Sequence, residues 1–530
     1  MGTAALPRET EVVIVGGGTA GAVVAARLAQ AGVEVLVLEA GPDPGPFGDP
    51  RWPADLVDAR RLGHSCDWGF DSGDTLPQPM RFERSRVLGG CSTHNGAVQT
   101  WGHARDYDGW AAAGNPGWSA AELQPLFARA SEQLRVRTYA VEELTLWQRA
   151  WHDAGPAVGL PQLRDVNDLR EGVGIAPESV NVVGDGVRFN TAFAYLDPVR
   201  ALPNLTIVGE ALVDRVLIGP GGAARGVAVV HGGALHEVAA ALVVLCGGAY
   251  CTPPVLLRSG VGPAAQLRAF GIEVALDLPG VGENLHDQPF AMLRWEGSAE
   301  LVAAMDAAVA EGWAPDEQVL AKAASRFEPD AFDLHLFAYS PTHIHGGWSW
   351  HAGASALRPR SRGHVRLMGR EPEAKPLIDH RFLTDPAGDD VAMLIDGIAQ
   401  VRELAATGPL AALLGRELTP GPEVAEPAAL EAWLRAHPDS YWHPVGTAKM
   451  GPASDPAAVC DARGEVHGLP GCRVADAALM PSVPRAATAM PVTVIGERIA
   501  ASILAERAGG GGPAGRAEAA REGGADEAHP

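Results

Sequence analysis

The chain has 530 residues, 47% hydrophobic and 20% charged, a balance that suits a globular protein and excludes a largely disordered one. Its 42 Lys and Arg stand against 64 Asp and Glu, a formal net charge of −22. So acidic a chain repels phosphate backbones, which sets nucleic-acid binding aside. The first residues show no basic stretch followed by an apolar run, so no secretory leader is expected. No apolar run approaches the ~18–20 residues of a membrane span, and the expected location is the cytoplasm. Six cysteines (Cys66, Cys91, Cys246, Cys251, Cys460, Cys472) form no C-x-x-C pair. Reduced thiols are expected, with one Cys460–Cys472 bridge as the alternative.

In chain order, residues 11–15 are a short β-branched run and read as a buried strand. Gly16-Gly17-Gly18-Thr19-Ala20-Gly21 follows, then a helical pattern over 22–31 and a second apolar strand over 33–38, closed by Glu39. This βαβ unit carries Gly16-x-Gly18-x-x-Gly21 between strand and helix. Gly16 permits the tight turn, Gly18 lets a pyrophosphate approach the backbone, and Gly21 lets helix and strand pack closely. Thr19 and Ala20 open the helix, whose N-terminus favours an anion. Glu39 is placed to accept hydrogen bonds from ribose hydroxyls and to disfavour a 2′-phosphate. The motif alone does not choose between NAD and FAD.

Farther on, 212–217 and 226–230 alternate as strands, and 241–246 is an apolar strand ending at Gly247-Gly248. Short alternating stretches at 333–337 and 364–368 predict an antiparallel sheet in a second domain. Helical patterns occupy 387–406 and 426–436. A short strand at 473–476 leads to a helix over 491–507, and the Gly/Ala/Glu-rich tail from 508 reads as disordered.

Three longer stretches carry a family resemblance: Arg84-Ser85-Arg86-Val87-Leu88-Gly89-Gly90-Cys91-Ser92-Thr93-His94-Asn95-Gly96, the run from Gly248 to Pro263, and Tyr441-Trp442-His443-Pro444-Val445-Gly446-Thr447. Together they resemble the glucose-methanol-choline (GMC) oxidoreductases, in particular the choline oxidase and choline dehydrogenase-like branch. The resemblance implies an α/β FAD-binding Rossmann-like domain with a discontinuous α+β substrate domain built on an antiparallel sheet. It assigns 1–160, 191–295 and 441–507 to the FAD-binding part, and 161–190 and 296–440 to the substrate part. It also implies FAD as cofactor and oxidation of an alcohol CH–OH to a carbonyl by hydride transfer to flavin N5. The electron acceptor, oxygen or another, and a homodimer are left open. No metal ligand set is expected.

By the same resemblance His443 is the base, which suits an imidazole. Val87, Gly89, Gly90, Ser92, Asn95 and Gly96 lie along the cofactor, where residues without side chains let the backbone approach a ring. His94 is the expected point of covalent flavin attachment; the alternative is a ring that packs under the flavin unbonded. Val213 resembles a backbone clamp on adenine, and Asp476 an acid near the ribityl chain. The alternatives are a core valine and a strand-end acid that caps the next turn.

One departure stands out. The family's second catalytic Asn or His falls on Ala487, within Arg485-Ala486-Ala487-Thr488-Ala489-Met490-Pro491. A methyl neither donates nor accepts a hydrogen bond. Either His443 works alone, or another group such as His343, His345 or His351 reaches in, or the chemistry is that of a lyase or a redox-impaired flavoprotein. Ala487 also leaves room for a bulky alcohol. For a choline-type clamp, Glu311, Glu317 and Trp313 lie in the right region but none maps well.

Overall fold

The computed structural model describes residues 6–170, 172–312, 314–341 and 347–509. His343, His345, Trp313 and the tail from 510 onward fall outside them. Strand β1 (Glu9–Val15) ends in four fully buried residues, as a strand covered on both faces requires. Helix α1 (Thr19–Gln30) starts at the Gly-rich turn itself, ahead of the residue 22 that the apolar periodicity marks. Strand β2 (Val35–Leu38) returns parallel to β1, with Val15 opposite Leu38. Strand β3 (Gly174–Pro177) leaves for a second sheet.

Strand β4 (Leu205–Val208) joins β2 in parallel. Strands β5 (Ala211–Ile218), β6 (Ala224–His231) and β7 (Ala234–Leu245) form an antiparallel meander, and β7 crosses back to lie parallel to β1, Val15 opposite Leu245. Helix α2 (Gly248–Arg258) follows. Strands β8 (Pro289–Gly297), β9 (Val319–Ala323), β10 (Leu334–Tyr339), β11 (Trp350–Ala356) and β12 (Leu414–Thr419) build the second sheet with β3, in the order β12-β8-β11-β10-β9-β3 and antiparallel throughout. Helix α3 (Asp389–Ala405) packs on it: a Cβ on Gly397 would stand 2.6 Å from the Ala354 Cβ, so the helix backbone rests directly on β11. Strand β13 (Cys472–Val474) completes the first sheet beside β7, and α4 (Ala489–Ala508) closes the chain.

Two cores result. The first gathers Val and Leu of β1, β2 and β7 with α1, α4 and Phe127. The second lies behind the antiparallel sheet and holds Trp147, Trp151 and the apolar face of α3. Crossings between them differ from the sequence boundaries. Trp147 and Trp151 carry helix Leu146–Ala154 into the second core, although 1–160 reads as the first domain. Strand β8 enters the second sheet before residue 296. Among the described residues, His364–Arg366 pairs with Leu377–Asp379 as a two-stranded ribbon apart from the large sheet. All six cysteines are free, so the Cys460–Cys472 alternative is not realised.

Glu497 of α4 ties the first core together. Its fully buried carboxylate accepts from Arg27 of α1 and Arg129, both at 2.7 Å, and from the Tyr195 hydroxyl at 3.1 Å. Glu497→Ala strands Arg27, whose side chain is 19% exposed, while Arg129 at 47% stays hydrated, so the loss is smaller than the about 3–5 kcal/mol of a fully buried pair. The variant is expected to lower the thermal unfolding midpoint by a few degrees in a circular-dichroism melt.

Candidate functional site

A cleft of about 370 Å³ runs between the two sheets. One end lies at the C-terminal ends of β1, β2 and β7, where open parallel sheets bind ligands. Gly16 holds φ +96°, and a Cβ there would stand 2.7 Å from the Cys246 carbonyl oxygen. Gly90 holds φ +52°, and its Cβ would stand 2.7 Å from the Gly18 Cα. The Gly89 N–H donates to Gly17 O at 2.8 Å and locks the two glycine turns together. The floor so formed is bare backbone beside the N-terminus of α1, a cradle suited to a pyrophosphate.

Glu39 sits at this end, its two oxygens accepting from Gly17 N and Gly41 N at 2.9 Å each. Burial raises its pKa, and free lone pairs remain for hydroxyl donors. Asp476 accepts from Gly248 N at 2.8 Å, Ala478 N at 2.7 Å and the Thr252 hydroxyl at 2.6 Å, and burial pushes it up to about 6. It both caps a turn and faces the cleft. Val213 lines the cleft at a break in the β5–β6 register.

Of the other expected cofactor residues, Gly16, Gly18, Thr19, Ala20, Gly90, His94, Asn95 and Gly96 line the cleft. Gly21, Val87, Gly89 and Ser92 stand behind its wall. Gly21 lies where a Cβ would meet the Gly16 carbonyl at 2.0 Å, so it serves helix–strand packing. The Ser92 hydroxyl turns inward, to Gly89 O at 2.7 Å and Thr191 Oγ1 at 2.9 Å. The His94 imidazole is held at about 3, first by burial and then by the Arg84 and Arg188 guanidiniums, so it is neutral.

At the other end stands His443, pinned by residues 286–288. The Val445 and His286 backbones pair, Asp287 Oδ1 accepts His443 N–H at 2.9 Å, and His443 Nδ1 meets Gln288 Oε1 at 2.6 Å. Gln288 Nε2 donates to Pro484 O at 2.9 Å, which fixes its amide with the oxygen toward the imidazole. Nδ1 must therefore carry the proton, and Nε2 is left with its lone pair. Burial and Arg84 lower His443 to about 3, so the ring is neutral. Burial raises Asp287 to about 6. Asp287 and Gln288 are absent from the sequence reading; the only signal is a polar triplet just ahead of an apolar strand.

Ala487 and Ala489 line the cleft, and no polar side chain stands at either position. The Ala487 N–H donates to Thr100 Oγ1 at 2.7 Å, and the buried Arg485–Asp106 pair holds the loop. His351 is outside the cleft, its Nε2 bonded to Ser349 Oγ at 2.5 Å. Glu311 is exposed at a helix end, whereas Glu317 lines the cleft near Gly96. His335, unnoticed in the sequence, also faces it. Among the described residues no cluster of His, Cys, Asp and Glu could hold a metal ion.

Two profiles described as GMC oxidoreductase match residues 10–290 and 359–496. Choline oxidase of Arthrobacter globiformis is 33% identical, over 95% of each chain. The 5-(hydroxymethyl)furfural oxidase of Methylovorus sp. is 34% identical, over 94% of this chain and 99% of that one. Among solved structures, pyridoxine 4-oxidase from Mesorbium loti superimposes with a TM-score of 0.82 at 27% identity, over 93% of this chain and 99% of its own.

The residues present fit FAD: bare glycine turns face a helix N-terminus, and an acid stands at the nucleoside end. Gly90→Val places a branched side chain at φ +52° against the Gly18 backbone. The variant is expected to purify with little bound flavin, read as a collapsed ratio of 450 nm to 280 nm absorbance.

Proposed function

Because the chain belongs to the GMC oxidoreductase family and is thus an FAD-dependent enzyme acting on CH–OH donors, we propose that it oxidises an alcohol to a carbonyl with His443 as base. FAD, when bound, accepts the hydride at flavin N5. The observation that carries the reading is the Gln288–His443 hydrogen bond, which leaves His443 Nε2 as an acceptor in the cleft. There it takes the hydroxyl proton while Tyr441, edge-on at 4.6 Å, walls the ring in.

Glu317 supplies a polar end to the substrate pocket. Its carboxyl sits well above the ordinary carboxylate range because it is buried, with Asp316 adding like charge. A mostly protonated acid suits a neutral polar group better than a cation at neutral pH. The reading therefore favours alcohols resembling hydroxymethylfurfural or pyridoxine over choline. Ala487 supports a second reading, a non-oxidative lyase of the same fold. Anaerobic mixing separates them: bleaching of the flavin band near 450 nm by any of hydroxymethylfurfural, pyridoxine, benzyl alcohol or choline establishes oxidation.

His443→Ala is expected to slow flavin reduction by roughly 10²- to 10⁴-fold, the usual contribution of a general base, with flavin still bound. An unchanged rate removes His443 from the chemistry. A base held at about 3 stays competent below the ordinary histidine range. Reduction by a neutral alcohol should thus stay level from about pH 7 to pH 5, where an unshifted imidazole would lose most of its activity. His94 is proposed as the covalent flavin link, since a neutral imidazole is the nucleophilic form. Acid precipitation should leave yellow colour in the wild-type pellet and release it from His94→Ala.

A further inference from the structure

We propose that a pocket separate from the substrate cleft binds a small dianionic oxyanion, a phosphate or a dicarboxylate. The inference does not depend on the alcohol-oxidation reading.

The pocket measures about 280 Å³ and shares no lining residue with the cleft. Helix Ala104–Ala112, the segment after β11 and residues 481–483 form its walls. Four arginines line it: Arg105 from the helix, and Arg358, Arg360 and Arg362 from the segment after β11. Asp106 is the one acid among the described residues that line it, and Arg485 occupies both of its oxygens, at 2.9 Å each. In a chain of net charge −22, four guanidiniums on one concavity are a local reversal of sign.

Surface arginines are ordinarily paired or simply hydrated. Here the pairing is incomplete. Glu328 takes Arg358 and, at 3.2 Å, Arg485. Arg105 reaches Glu328 only at 3.4 Å, and Arg360 reaches Asp389 only at 3.4 Å, longer than the ~2.7–2.9 Å of a close charge-assisted bond. Arg362 makes no ion pair among the described residues. Partial burial lowers its pKa, Asp390 opposes this from longer range, and the like charge of Arg360 adds to it. The Arg362 fork is nonetheless fixed. Nε donates to Asn284 Oδ1 at 3.1 Å, and Nη1 to Pro359 O at 2.8 Å and Ser361 O at 2.9 Å, which leaves Nη2 unused among the described residues.

The pocket also offers a neutral donor. Ser482 Oγ accepts the Trp110 indole N–H at 2.9 Å, so its own proton is free for a ligand. His286 offers nothing further: its Nδ1 meets Asn284 O at 2.6 Å, and its Nε2 accepts from Val483 N–H at 2.9 Å. Guanidiniums with spare N–H groups, together with a hydroxyl, match phosphate or carboxylate oxygens, which accept several such bonds at once. A neutral ligand would leave the like charges of Arg360 and Arg362 uncompensated, whereas two negative charges offset them.

The test is isothermal titration of the FAD-loaded enzyme with inorganic phosphate and, separately, with succinate. With FAD in place the glycine cradle cannot take up the probe. Mildly alkaline pH keeps both probes dianionic, and chloride holds the ionic strength constant. One-to-one binding with half-saturation in the roughly millimolar range or tighter is expected for at least one of them, and the stronger binder tells a phosphate source from a carboxylate one. Arg105→Gln combined with Arg360→Gln removes two charges from side chains that are 53% and 57% exposed, so the fold should hold. The double variant is expected to weaken binding by about 10-fold or more, the worth of a single bond to a charged group. Arg225→Gln, on β6 and outside the pocket, should bind as the wild type does. Absence of saturable binding by both anions at about ten times the millimolar range overturns the proposal. So does binding that the double variant leaves intact, or that Arg225→Gln weakens equally, which assigns it to the general surface charge. If the double variant loses its fold, Arg360→Glu alone, expected to abolish binding, decides the same question.

Discussion

The close approach of two backbones, at Gly18 and Gly90, sets the dimensions of everything in the cleft. It brings the N-terminus of α1, the end of β1 and the 89–96 turn to fixed separations that a side chain at Gly90 would not allow. The far side of that turn is fixed by a different device. Arg188 is fully buried without a carboxylate and gathers carbonyls instead: Asn95 O at 2.7 Å, Thr93 O at 2.8 Å and Leu56 O at 2.9 Å. Burial lowers its pKa to about 10, which still leaves it a cation. A guanidinium whose fork is filled by main-chain oxygens holds the backbone on both sides of His94, so the imidazole is presented by a rigid loop.

The charge of the chain and the charge of the cleft are opposed. The excess of acids is large, yet the carboxyls at the cleft are muted. Glu39 and Asp476 are raised by burial, and each already accepts from backbone N–H groups. Arg84, by contrast, lines the cleft and donates to Trp442 O at 3.1 Å. Its field reaches His94, His380 and His443 and helps to keep all three neutral. One cation therefore does two jobs. It keeps the imidazoles in the form that can accept a proton, and it leaves the cleft receptive to negative charge.

The sequence made the nucleotide half legible because its chemistry is local. A strand, a glycine turn, a helix, a strand and a terminal acid follow one another from Glu9 to Glu39, and the structure builds them in that order. The substrate half was less legible because its contacts are long-range. Gln288 and His443 are 155 residues apart, and nothing in either neighbourhood announces the other. Position 335 reads as one more residue of an alternating strand until the sheet is seen to turn that face toward the cleft. The tryptophans at 147 and 151 choose their core by packing, which hydrophobic pattern alone does not reveal.

That distribution explains why the chain weaves between its two sheets. The glycine turns belong to the first sheet, His443 sits on a loop pinned by residues that lead into β8, and His335 comes from β10. Their spacing is set where the sheets meet, through Gln288 reaching to Pro484 and Tyr441 donating its N–H to Gln288 O at 3.0 Å. The ring of His335 runs parallel to that of Phe332 with centroids 6.0 Å apart, so its neighbours on that side come from the antiparallel sheet and the turn before it.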